Sequence, residues 1–364
     1  FFSGILNANN KFAAAAAAPI ILNIFLIFSL IISYFFDLNF ELNLSYAVTL
    51  AGLLQLLFLI FFTKYYYKPS INFKIIINPK IKFFFKKLLP SIFSSGATQI
   101  NILIGTIIAS FEAGAVSYLY YADRIYQINL AIAGIAIGTV ALPELSKNLR
   151  IGNIYKAMNI QNKSLELCLL LSLPACFGLI IASEEITSAL FGYGSFREED
   201  VVLTAKALKY FGYGVPAFAL IKVLSNFFFA RDNTRTPFYI SLFSVFLNIL
   251  ISVSFFKQIG FVIIPIATSI ATWLAVLIYV ILLIKMKYFD AKYLFFANIS
   301  KTFISSLIMS LGLYYLLSFF EEKLIYSSQY KSFYLIMTII LSTSAYLLLT
   351  RLLGIFKIKN FKIN

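Results

Sequence analysis

Histidine is missing from this chain of 364 residues, cysteine occurs twice and tryptophan once. Without imidazole, and with no acidic cluster at ligand spacing inside an apolar run, the usual materials for a metal site or for His-based acid–base catalysis are absent. Cys168 and Cys176 fall in one apolar run. On a helix that spacing separates their backbones by roughly 12 Å, too far for a disulfide, so they read as small buried hydrophobes. Charge is scarce as well: 12% of residues are charged against 61% hydrophobic, outside the range of ordinary soluble domains.

What is present is length in apolar runs. Ten stretches, at about 13–34, 45–64, 88–110, 115–142, 165–190, 205–229, 237–256, 260–284, 302–320 and 332–350, are each roughly the 20 residues needed to cross a ~30 Å hydrocarbon core. The expected fold class is an all-α polytopic membrane protein with no soluble domain left over. The formal charge of +15 is distributed as topology, not as a nucleic-acid surface. Lys64, Lys68, Lys74, Lys80, Lys82, Lys86 and Lys87 fill one loop with no acid among them, and Glu112 alone marks the next. Lys147, Arg150, Lys156 and Lys163 then precede the acidic group Glu184, Glu185, Glu198, Glu199 and Asp200. Alternating basic and acidic loops are the positive-inside pattern, which predicts a cytoplasmic C-terminus and no nucleic-acid partner. The opening FFSGILNANN has neither a methionine nor a signal peptide and reads as the end of a helix, so an N-terminally truncated chain is expected.

A weak internal echo accompanies this. NANNKFAAAAAAPIILNI (7–24) resembles RDNTRTPFYISLFSVFLNI (231–249), and Ala47, Ala51, Leu54 and Leu57 fall in step with Ala267, Ala271, Leu274 and Leu277. Such repeats suggest a two-lobed transporter. The predicted division is a remnant of the N-terminal lobe at 1–64, a basic cytoplasmic linker at 65–87, a C-terminal lobe at 88–290, and two additional helices with a tail at 291–364.

The stretch YLYYADRIYQ (118–127) sets Asp123 and Arg124 inside an apolar, aromatic run. Counted from residue 115, they lie about 12–14 Å deep at 1.5 Å per residue. A charge there costs at least ~2.5–3.5 kcal/mol and needs a partner or a watery cavity. Adjacent helical residues do not face each other, so each charge is expected to have its own partner. Two readings stand: a structural interhelical ion pair, or a cavity charge for an anionic substrate. The chain uses 24 lysines and 6 arginines, so an arginine here points to planar, bidentate recognition of an oxyanion such as phosphate. Lys222 either snorkels to the cytoplasmic surface or lines the inner part of the same cavity. Gln99 and Asn101 read as helix-to-helix hydrogen bonders or as cavity residues. Gly134 and Gly138 form a small-xxx-small face for close packing. Pro90, Pro143, Pro174, Pro216, Pro237 and Pro265 fall near span ends or at positions that can kink.

At this point a resemblance appears. The runs YYADRIYQ…GIAIGTVALPELSK (120–147) and LFGYGSFREEDVVLTAKALKYFGYGVPAFALIKVLSNFFFARDNTRTP (190–237), with the opening GILNANNKFAAAAAAPIILN, are similar to the MurJ (MviN) family of lipid II flippases over the whole chain in order. The resemblance implies a two-lobed fold of the exporter superfamily that includes the multidrug transporters, with about ten of fourteen helices present. It implies a multi-pass protein of the bacterial cytoplasmic (inner) membrane. Its task would be to move undecaprenyl-diphosphate-linked disaccharide-pentapeptide, lipid II, from inner to outer leaflet by alternating access. Arg124 would contact the diphosphate, with Asp123, Gln127, Lys222, Gln99 and Asn101 as further substrate-site residues. The last two helices would offer a groove for the lipid tail. Ile128-Asn129-Leu130-Ala131 stands where many members have Leu-Pro-Leu-Gly, which predicts a softer kink below Arg124. The family's other cavity arginines belong to earlier helices. Expected partners are lipid II and membrane lipids, the chain acting as a monomer. Neither a catalytic residue nor a cofactor is expected, and coupling to a monovalent ion or to the membrane potential is left open. The alternatives are another exporter of the superfamily, carrying polysaccharide-lipid or drugs, or a non-transporting membrane scaffold of the same fold.

Overall fold

A computed structural model describes residues 2–9, 11–67, 79, 81–82, 99, 101–290 and 293–355, and among them there is no strand. Residues 1–83 and 84–364 form two separate compact units. Most of the predicted 65–87 linker, residues 88–98 of the predicted third span with Pro90, and the last nine residues lie outside the described set.

The first unit is short: α1 (Phe2–Ala8), α2 (Phe12–Phe35) and α3 (Phe40–Thr63). The alanine run 13–18 favours helix, and α3 starts where the Asn39 side chain accepts a hydrogen bond from the Leu42 amide at 2.9 Å. An N-cap of this kind satisfies one of the orphan donors of the first turn. Ala47 and Ala51 are the buried face of α3.

The second unit runs through α4 (101–109), α5 (Ala115–Leu130), a π-turn (Ala131–Ile135), α6 (Ala136–Arg150), α7 (Ile154–Ile181), α8 (Ser183–Phe191), α9 (Glu198–Phe229), α10 (Arg235–Ile259), α11 (Ile263–Lys285), α12 (Tyr293–Phe319), α13 (Glu321–Leu324) and α14 (Lys331–Leu352). Seven described segments are long and apolar enough to cross a membrane, and Arg235–Lys285 counts as one of them although it contains both α10 and α11. These two form a hairpin because Gly260 turns the chain at φ +76. The Glu112 carboxylate accepts a hydrogen bond from the Phe261 amide at 2.7 Å. A Cβ on Gly260 would lie 2.9 Å from that carboxylate, so only glycine suits both the backbone and the contact. As in α3, the echoed alanines of α11, Ala267 and Ala271, are buried.

Some boundaries differ from the sequence reading. The span expected at 165–190 is α7 at Ile154–Ile181, followed by a separate α8 with Glu184 and Glu185 in its first turn. Carboxylates at that position favour a new helix start, because they face its positive end. The span expected at 115–142 continues to Arg150 and is interrupted below Arg124 by the π-turn. A π-turn is a proline-independent way to break helical register. Pro237 and Pro265 sit in first turns, while Pro143, Pro174 and Pro216 lie inside helices. Cys168 and Cys176 are free and buried.

The hub is α9. Val215, Ala217, Ala219, Val223, Phe227 and Phe228 are fully buried. Its neighbours come close because small residues meet them on several sides. A Cβ on Gly212 would lie 3.1 Å from Leu179 of α7, and one on Gly214 would lie 2.6 Å from the Ser269 hydroxyl of α11. A Cβ on Gly134 would lie 3.0 Å from the Ala219 backbone. Gly134 therefore packs as its spacing suggests.

The loop after α8 is strapped to the start of α14. The Lys331 ammonium is buried and donates to the carbonyls of Gly192 at 2.7 Å and Tyr326 at 2.8 Å, between the rings of Tyr193 and Tyr326. Two predictions follow from these contacts. Gly134→Val meets backbone that cannot rotate away, and is expected to cost about 1–3 kcal/mol; thermal unfolding in detergent at the wild-type midpoint would rule the close packing out. Lys331→Met strands two carbonyls and is expected to cost about 1.5–3 kcal/mol, and hydrogen exchange at residues 192–196 should accelerate before exchange in α9.

Candidate functional site

The aromatic residues of YLYYADRIYQ explain how α5 is oriented. Tyr118 donates to the Asp200 carboxylate at 2.9 Å. Tyr121 packs against Phe191 and Phe196, with centroids at 4.7 and 5.3 Å. Tyr126 stacks on Phe211 at 4.7 Å and meets Phe218 at 5.2 Å, both on α9. With buried Ala115, Ala122 and Ile125, these residues form the side of α5 that faces its own unit. The opposite stripe, Ser117, Tyr120, Arg124 and Gln127, follows helical spacing and is exposed.

The two central charges have different partners, as adjacent helical positions require. Asp123 is half-buried, accepts a hydrogen bond from the Gln127 amide one turn on, and also bonds the Tyr126 side chain. Arg124 turns the other way and lays its guanidinium over the Tyr120 ring, 4.6 Å from the centroid. That stacking holds the planar fork while leaving its N–H donors available. Asp123 and Gln127 stiffen the helix around it. Among the described residues no carboxylate is bonded to Arg124.

The outward face of α10 is the contrast. It shows Tyr239, Leu242, Phe243, Phe246, Leu250 and Val253, the surface expected against lipid tails. The α5 stripe instead carries a hydroxyl, a cation and an amide, so it suits water and polar headgroups.

Lys222 is exposed on α9, four residues after Phe218. Helical register therefore puts it on the α5 side of α9, about one turn beyond the contact of Ala219 with Gly134. It makes no contact with Arg124 among the described residues. Gln99 is exposed and Asn101 half-buried at the start of α4. This helix packs toward α11, where a Cβ on Gly105 would lie 3.7 Å from Ile264, and no described contact joins Gln99 or Asn101 to Asp123 or Arg124. The structure thus assembles Asp123, Arg124 and Gln127 on one helix, with Tyr120 and Tyr126 as partners that the sequence reading missed. Their positions three and four residues from the charges were the available signal.

Beside this stripe lies an apolar cavity of about 520 Å³ between α5, the π-turn, α7, α8, α12 and α14. Ile125 and Ile128 form its α5 wall, Pro174 and Gly178 its α7 wall, and Leu335 and Ile339 its α14 wall. Ile128 is one turn from Arg124, so the groove begins one helical turn from the residue that carries the cation. Three hydroxyls that reach this groove are occupied: Tyr346 donates to the Leu170 carbonyl at 2.7 Å, Ser342 to the Thr338 carbonyl at 2.8 Å and Ser332 to the Ala189 carbonyl at 2.9 Å.

A family profile described as "Lipid II flippase MurJ" matches residues 1–335. A protein of Rickettsia prowazekii named "Probable lipid II flippase MurJ" is 40% identical over 274 residues, 74% of this chain and 53% of that protein. A protein of Rhizobium meliloti with the same name is 37% identical over 316 residues, 86% of this chain and 59% of its own length. A solved structure entitled "Lipid II flippase MurJ, inward closed conformation" superposes with a TM-score of 0.79 at 26% identity, over 97% of this chain and 70% of that one. The chain spans about half the length of the curated relatives it matches. It belongs to the MurJ family of lipid II flippases.

Proposed function

We propose that this chain forms the substrate-handling part of a flippase that moves undecaprenyl-diphosphate-linked peptidoglycan precursor from the inner to the outer leaflet of the bacterial cytoplasmic membrane, by alternating access. The observation that carries the reading is the junction on α5: Arg124, exposed and held flat on Tyr120, one turn from the apolar groove at Ile128. A diphosphate joined to a polyprenyl chain has the matching order of chemistry, an oxyanion followed by a long apolar tail. The guanidinium fork binds the diphosphate, Asp123 with Gln127 holds the neighbouring turn, and the groove beside α14 takes the first part of the tail. Lys222 extends the cationic path along the α5 side of α9. No bond is made or broken; transport requires only that the two conformations bind the headgroup with different affinity. The alternating basic loops support a cytoplasmic C-terminus, and the protein is read as a monomer.

Two measurements test this. Arg124→Ala is expected to weaken binding of a polyprenyl diphosphate by at least about tenfold, the loss of one charge-assisted pair. Arg124→Lys should recover only part of it, because an ammonium cannot bind bidentately; affinity unchanged in Arg124→Ala overturns the site. The groove is tested at Gly178, whose Cβ direction is open space. Gly178→Phe is expected to fold normally and to weaken long-chain polyprenyl diphosphates while sparing short-chain ones, as read by native mass spectrometry. Equal effects on both chain lengths would remove the tail from the groove.

A further inference from the structure

A second apolar cavity, about 1160 Å³, opens between α7, α9, α11 and α12. It is separate from the groove beside α14, because α7 divides them. Leu170, Pro174 and Gly178 face the first, whereas Leu169, Leu173 and Ile180 face the second. Two of its polar groups are already satisfied: the Trp273 indole donates to the Tyr213 carbonyl at 2.9 Å and the Ser269 hydroxyl to the Tyr210 carbonyl at 2.7 Å. The lining carries no charged side chain and suits a hydrocarbon chain.

The headgroup chemistry lies above it on the same helix. Tyr213, Pro216 and Leu220 line the cavity. Continuing their face of α9 toward the helix start, at steps of four and three, gives Lys209 and Lys206, both exposed. Lys209 lies about 6 Å and Lys206 about 10 Å along the axis from Tyr213. Neither makes a hydrogen bond or an ion pair among the described residues. The acids nearest along that side of the helix are Glu198 and Glu199, and Glu198 is about 12 Å back from Lys206. Two unpaired lysines one turn apart, above an apolar slot and near the predicted start of a span, are the arrangement that holds an anionic lipid: the stems lie on apolar surface and the ammonium groups reach the phosphate level.

We propose that this second groove binds an anionic glycerophospholipid of the surrounding bilayer, one acyl chain lying between α7, α9, α11 and α12 and the phosphate held by Lys206 and Lys209. The site is distinct from the one assigned to the carried substrate and does not depend on that assignment. It places a resident lipid as packing material between α12 and the hub helix, where protein side chains leave the slot open.

The experiment is native mass spectrometry of the full chain in detergent, titrated with phosphatidylglycerol and with phosphatidylcholine. Phosphatidylglycerol should bind more tightly, losing about fivefold in each of Lys206→Gln and Lys209→Gln and about 25-fold in the double variant. Ile270→Trp, which fills the exposed mouth, should displace it with both lysines intact. Arg124→Ala should leave it unchanged. The proposal is overturned if the double variant binds phosphatidylglycerol as the parent does, or if the two lipids are lost in parallel. It is also overturned if a polyprenyl diphosphate competes one for one, since the groove then belongs to the transported lipid.

Discussion

Everything in the larger unit depends on how closely helices approach α9. Lipid tails are as apolar as leucine, so no hydrophobic force drives one spanning helix onto another, and association rests on van der Waals contact and interhelical hydrogen bonds. The chain meets that constraint with small residues where α9 is crowded. Gly212 faces α7, Gly214 faces α11, and Ala219 faces Gly134 in the π-turn. Once these contacts form, the aromatic face of α5 has one way to sit, with Tyr126 against Phe211 and Phe218. The outward direction of Arg124 follows from that packing. The cation of α5 is therefore positioned by apolar contacts on the opposite side of its own helix.

The same logic divides the tyrosines of that segment. Tyr118, Tyr121 and Tyr126 anchor to the unit, while Tyr120 faces out and carries the guanidinium on its ring. A cluster that looks compositional in a chain with 40 phenylalanines and 23 tyrosines separates, by helical angle alone, into three anchors and one support. Asp123 belongs between these groups. Its bonds to Gln127 and Tyr126 satisfy a carboxylate that would be costly unpaired in an apolar run, and among the described residues no carboxylate is bonded to Arg124.

Much of this was legible beforehand. The all-helical membrane class, the cation at position 124, separate partners for Asp123 and Arg124, and the packing role of Gly134 all follow from run length, depth and the 100° step of a helix. Other features were not. The end of α7 at Ile181 and the restart at Ser183 were hidden because α8 continues the apolar composition, and hydropathy does not register a one-residue break. The π-turn was hidden for a related reason: Ala131–Ile135 has no proline and continues the apolar composition, so neither a breaker nor hydropathy marks the lost register. The packing of α4 was equally hidden: its Ile108 and Ala109 share a cluster with Ala122 and Ile125 of α5 and Phe211 of α9, a meeting of distant positions that no sequence window shows.

Sequence by itself determined the solvent of this protein, the order of its apolar runs and the identity of the cation on α5, because each depends on local composition and on a fixed rise per residue. Tertiary structure decided which helical face becomes a site. Whether an arginine faces a neighbour, lipid or a polar surface depends on which residues of distant helices fill the other side. That is set by contacts such as Tyr126 with Phe211, which join positions far apart in the chain and leave no trace in any single window of it.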